Sequence, residues 1–95
     1  MNSFFAGWFY VYVLKSDKNG AIYIGCTSDL KKRIQKHREG KTFSVKKLLP
    51  VKLIYFEAYR TKKEAFEREK RLKHYGSALR SLKLRIPISL VDEKG

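Results

Sequence analysis

Tyr10-Val11-Tyr12 and Tyr23-Ile24-Gly25 are followed at helical spacing by Leu30, Arg33, Ile34 and His37, and one further carboxylate of interest, Glu69, arrives much later. Arginine offers a planar fork of donors for a phosphate oxygen and for charge that develops in a transition state. Histidine can relay a proton or hold a phosphate, and glycine lets backbone and substrate approach closely. A phenol ionises near pH 10, so Tyr12 would need nearby cations or a metal-bound water before it could act as a base. Taken together, these groups suit phosphate chemistry.

Each residue also has a simpler reading. Strand tyrosines are usually core residues, a glycine at a strand end is most often a bulge or turn, and a helix histidine is usually packed or capping. Cys26 reads as a small filler. Glu69 is more informative, because it falls among Ala65, Phe66 and Leu72 on one helix face while Glu64 and Glu67 point away. Turning that charge toward a sheet costs several kcal/mol unless a cation or donor compensates. A metal ion would do so, and so would Arg33 or a nearby lysine.

The elements that must position these groups follow from the same pattern. Trp8 to Leu14 is apolar on both faces, which predicts a central strand covered on both sides. Asn19-Gly20 can supply the positive φ angles of a hairpin loop, with Ala21 to Gly25 as the partner strand. A helix capped by Thr27, Ser28 or Asp29 runs to about Glu39 and stops at Gly40. It turns Leu30, Ile34, Arg33 and His37 inward or along the sheet rim. Lys41 to Leu49 reads as a short helix or irregular chain closed by Pro50. Val51 to Tyr59 alternates poorly but is rich in strand formers, giving a third strand. Thr61 caps a helix from Lys62 to Tyr75, Gly76 stops it, and Ser77 caps a last helix to roughly Leu84. A loosely held tail is expected over 85–95.

Ninety-five residues with a hydrophobic fraction of 43% fit one domain, and no linker or repeat divides the chain. Lys and Arg number 22 against 9 Asp and Glu, a net charge of +13 that predicts a polyanionic partner. Membrane anchoring is not expected, since no apolar run reaches the roughly 18 to 20 residues a bilayer requires. The apolar N-terminal stretch lacks a cationic leader and a cleavage site, so export is not expected either. The single cysteine cannot form an internal disulfide, and neither it nor His37 and His74 stand at a zinc spacing. The cytoplasm is the expected compartment.

In this order, Tyr10-Val11-Tyr12, Tyr23-Ile24-Gly25, Asp29-Leu30-Lys31-Lys32-Arg33 with His37, and Glu69 before Leu72-Lys73 resemble the GIY-YIG nuclease family, most closely its small stand-alone bacterial members. The resemblance covers about residues 8–84. It implies an α+β fold with a three-stranded antiparallel sheet flanked by helices, and metal-dependent hydrolysis of a DNA phosphodiester. It further implies catalytic roles for Tyr12, Tyr23, Arg33, His37 and Glu69, with Glu69 holding Mg²⁺ or Mn²⁺. Gly25, Lys31, Lys32, Lys36 and Lys73 would meet the substrate. Two positions depart from the pattern. Tyr10 stands where the first motif begins with glycine, and Cys26 stands where some nuclease members carry a lysine able to assist the base.

The function so implied is a DNA endonuclease, structure-directed or weakly specific, in repair or recombination. Its targeting would come from a partner protein. The alternative is a non-catalytic or partner-dependent DNA- or RNA-binding module of the same fold, and basic residues clustered on both helices suit either.

Overall fold

The computed structural model describes residues 7–87. Its elements in chain order are β1 (Phe9–Ser16), β2 (Ile22–Thr27), α1 (Leu30–Arg38), α2 (Phe43–Lys46), β3 (Val51–Tyr59), α3 (Lys62–His74) and α4 (Gly76–Arg85). The strands form one antiparallel sheet in the order β2-β1-β3, so the strand that is apolar on both faces is the central one. Val11 and Val13 face one way and pack with Ile24, Ala65 and Leu72 of α3 and Leu82 of α4. Tyr12 and Leu14 face the other way and pack with Val45, Val51, Leu30 and Ile34. Helices α1 and α2 therefore cover one face of the sheet, and α3 and α4 the other.

Local chemistry explains most of the boundaries. The Asp29 carboxylate accepts from Lys32 N at 3.1 Å and caps α1. At the other end, Gly40 N bonds to His37 O and Lys41 N to Lys36 O, with Gly40 at φ +73°, the closing pattern that favours glycine. Thr61 caps α3 by accepting from Glu64 N at 3.2 Å.

Several expectations are corrected. In the β1–β2 loop only Gly20 has positive φ, so Asn19-Gly20 is not a two-residue turn with both φ angles positive. Instead Asn19 Oδ1 accepts from Ala21 N, and Ser16 Oγ accepts from Lys18 N and Asn19 N. Gly76 does not stop α3. Tyr75, extended at φ −120° and ψ 105°, separates the two helices, and Gly76 and Ser77 are the first residues of α4. Phe66 is 51% exposed, so the buried face of α3 rests on Ala65 and Leu72 alone. The tail expectation falls mostly outside the described residues, although Ile86 packs against the core.

The poor alternation of β3 has a physical cause. Val13 pairs with Tyr55 but Leu14 pairs with Leu53, so Ile54 is an extra residue in the ladder. The bulge resets the phase, placing Leu53, Phe56 and Ala58 on the Tyr12 face and Tyr55, Glu57 and Tyr59 on the Val11 face.

There the Glu57 carboxylate accepts two bonds from Arg68, at 2.8 and 2.9 Å, and one each from the Tyr55 and Tyr59 hydroxyls at 2.6 Å. Burial pushes its pKa up, but the Arg68 and tyrosine bonds outweigh that and hold it below the usual carboxylate range. A depressed folded value contributes stability above the unfolded pKa, and that contribution disappears as pH falls through the folded pKa. Glu57→Gln is expected to destabilise the fold by about 2–4 kcal/mol at pH 7, because Arg68 is left without its counterion. The loss should shrink below pH 4, and chemical denaturation at both pH values measures it.

Candidate active site

The geometry begins with the pairing of Tyr12 and Gly25 across β1 and β2. The Tyr12 ring lies over Gly25, where a Cβ would overlap Oη and Cζ and sit 3.0 Å from Cε1. A strand residue without a side chain is therefore required for the phenol to cross β2 toward the sheet edge.

At the end of that path the Tyr12 hydroxyl shares a 2.7 Å hydrogen bond with His37 Nε2, while His37 Nδ1 bonds to Thr42 Oγ1. His37 is 1% exposed, with both ring nitrogens engaged. Burial, aided by the positive charge of Arg33, pushes its pKa below the ordinary value, so the ring is neutral at pH 7, with one nitrogen donating and the other accepting. Thr42 stands at the N-cap of α2, yet its hydroxyl makes no capping bond and serves the imidazole instead. The sequence reading missed Thr42. Its only signal was a hydroxyl just beyond the helix stop at Gly40.

Tyr23 completes an aromatic triangle, its ring 5.4 Å from His37 and 6.3 Å from Tyr12. Unlike Tyr12 it is only partly buried, and its hydroxyl accepts from Ser44 Oγ at 3.3 Å. Tyr12 itself is pushed up to about 12, first by burial and then by Tyr23, with Arg33 pulling the other way and Glu69 adding to the rise. The lowered phenol that a base would need is thus not present.

Arg33 comes from α1 on one face of the sheet, and Glu69 from α3 on the other. The charges of both act on Tyr12 and on Cys26 of β2, in opposite directions. Burial raises the Cys26 thiol, which packs against the α3 side of the core. Glu69 pairs with Lys73 Nζ at 2.9 Å, so the compensating cation is a lysine one turn away on the same helix. Lys31, Lys32 and Lys36 lie exposed on α1.

As a metal site the donors are sparse. Among the described residues no group of three or more His, Cys, Asp or Glu could hold an ion. One hard carboxylate, Glu69, fits magnesium or manganese, which bind through one or two carboxylates with water and phosphate oxygens. It does not fit a closed zinc site.

Residues 8–83 match the family model described as the GIY-YIG catalytic domain. The chain belongs to the GIY-YIG family. A UPF0213 protein of Staphylococcus saprophyticus is 41% identical over 76 residues, which cover 79% of this chain and 90% of that protein. A UPF0213 protein of Staphylococcus epidermidis is 40% identical over 67 residues, 70% of this chain and 80% of the relative. The solution NMR structure of the UPF0213 protein BH0048 from Bacillus halodurans has a TM-score of 0.55 at 28% identity, covering 93% of this chain and 97% of that one. The GIY-YIG chain thus has small bacterial relatives that it spans almost end to end. None of its helices among the described residues is long and apolar enough to cross a membrane.

Proposed function

We propose that this GIY-YIG domain is a divalent-metal-dependent DNA endonuclease, structure-directed or weakly specific, acting in repair or recombination. The observation that carries this reading is the Tyr12 hydroxyl bonded to His37 Nε2 over Gly25, with the Tyr23 ring beside both and the charges of Arg33 and Glu69 acting on Tyr12. Arg33 binds a phosphate oxygen and stabilises the charge that builds up on it. Tyr12 acts as a neutral relay rather than as a phenolate. It takes a proton from the attacking water while passing its own to His37 Nε2, which accepts because the ring is neutral. Both His37 ring nitrogens are engaged, Nε2 by Tyr12 and Nδ1 by Thr42, so proton relay is the role it takes, and Thr42 holds its ring in place. Tyr23 faces outward and orients the phosphate or the water. Glu69 would hold magnesium or manganese, and the chemistry supplied there is Lewis-acid polarisation of the phosphate.

The raised Tyr12 phenol and the Lys73 ammonium already paired with Glu69 favour a second reading, a partner-dependent DNA- or RNA-binding module. Purified protein incubated with supercoiled plasmid and with a four-way junction decides between them. Nicking in Mg²⁺ or Mn²⁺ that EDTA abolishes supports the enzyme. Binding without nicking across metals and pH values rejects the enzyme acting alone.

DNA affinity should fall steeply with salt under either reading. If about four phosphates are neutralised, log K against log salt has a slope of about −3.6. Fluorescence anisotropy between 50 and 200 mM salt, on the order of the usual working range, measures it. A flat response would reject a nucleic-acid partner.

A further inference from the structure

An open groove of about 1250 Å³ runs between α1 and β3 on the Tyr12 face of the sheet. None of Tyr12, Tyr23, Arg33, His37 and Glu69 lines it. Its floor is apolar and aromatic. Tyr10 and Phe56 meet edge to face at 6.1 Å, Trp8 lies at one end, and Leu53 and Phe56 remain 37% and 49% exposed. The bulge at Ile54 creates this floor by keeping Leu53 and Phe56 on the same face.

Two carboxylates, Asp29 and Glu39, and two cations, Lys31 and Arg38, line the rim. Asp29 is occupied in capping α1, and Glu39 pairs with Lys41 at 3.1 Å and accepts from Gln35 at 3.2 Å. Lys31 and Arg38 also line the groove, and neither has an ion-pair partner among the described residues. With Glu39 neutralised by Lys41, one cation is in excess beside the exposed Phe56 ring and the partly buried Tyr10 and Trp8, the last lying 5.1 Å under the Arg60 guanidinium. This combination suits unpaired nucleotides, with phosphates on the rim and a base against Phe56. Paired bases in a duplex do not offer their faces.

We infer that this groove binds unpaired nucleotides of single-stranded or branched DNA, beside the site proposed for hydrolysis. The inference rests on the nucleic-acid partner of the proposed function but not on cleavage. It accounts for structure-directed binding by a domain with no separate DNA-reading module within the described residues. Junctions and flaps expose bases that intact duplex hides.

The chain has one tryptophan, so Trp8 emission reports on the end of the groove that it lines, next to Arg60. Full-length protein in EDTA is titrated with an oligothymidylate and with a blunt-ended duplex carrying the same number of phosphates, by tryptophan emission and by anisotropy. The oligothymidylate is expected to change Trp8 emission more strongly. Phe56→Ala should weaken oligothymidylate binding by about 5- to 150-fold, the range for losing one base stack, with duplex affinity unchanged. Phe56→Tyr, which keeps a ring, should restore it. Equal responses to both ligands, or unchanged oligothymidylate affinity in Phe56→Ala, would overturn the inference while leaving the duplex partner intact. Self-association abolished by Phe56→Ala in sedimentation would assign the groove to a second copy of the chain and also overturn it. Binding of neither ligand would remove the nucleic-acid partner as well.

Discussion

Arg33→Ala and Glu69→Ala are each expected to slow strand cleavage by about 10²- to 10³-fold or more, the usual cost of removing one group that stabilises transition-state charge. The two variants should differ in binding. Arg33→Ala removes a phosphate donor and weakens DNA affinity slightly. Glu69→Ala removes a negative charge and releases the Lys73 ammonium from its 2.9 Å pair, so it should bind DNA as tightly as the parent or more tightly. Loss of Glu69 should leave the protein folded, since a partly exposed ion pair within one helix contributes about 0–1 kcal/mol. Arg33→Lys should not rescue cleavage, because a compact ammonium cannot reproduce the planar fork. Single-turnover nicking, anisotropy and a thermal melt on the same preparations separate these effects. Cleavage within a few-fold of the parent in both alanine variants would end the endonuclease reading.

Gly25→Ala should be the most damaging single-methyl change in the domain. The added Cβ lands on Tyr12 Oη and Cζ, and the ring has no room to move because Tyr12 is buried beneath α1 and α2. Either β2 is pushed away from β1 or the 2.7 Å bond to His37 breaks, leaving a buried imidazole nitrogen unpaired. Overpacking costs about 1–3 kcal/mol. An unsatisfied buried polar atom costs about 1–3 kcal/mol more. Where both are incurred, a total of about 2–6 kcal/mol would lower the melting temperature by roughly 8–48 °C in a domain of this size. The clash is specific to the phenol, so in a Tyr12→Ala background the same glycine change should cost far less. A double-mutant cycle by denaturant unfolding measures that coupling, and additive losses would show that Gly25 is required for another reason.

The lysines and the glutamate show how differently charges can be read. Lys31, Lys32, Lys36 and Lys73 look equivalent along the chain, but Lys73 is held by Glu69 while Lys31 borders an aromatic groove. Helix spacing identified Glu69 as a carboxylate turned toward the sheet, and it is indeed partly buried. The same spacing gave no hint of Glu57, whose side chain is buried more deeply at 12% exposure. Its partner Arg68 lies 11 residues away on another element.

What could be read from the chain alone were the features set by local chemistry: the three strands and their flanking helices, a cap among Thr27, Ser28 and Asp29 and another at Thr61, the helix stop at Gly40, and the central place of a strand apolar on both faces. Backbone conformation and the burial of one face depend on residues within a turn or two, so neighbours in sequence suffice to reveal them. Only the tertiary structure decided that Tyr12 lies over Gly25 and bonds to His37, that Thr42 serves that imidazole, that Phe66 remains exposed and that the bulge at Ile54 opens the groove. These depend on how strands register and how helices settle across the sheet. Contacts between distant segments are set by packing in three dimensions, which residue spacing does not encode.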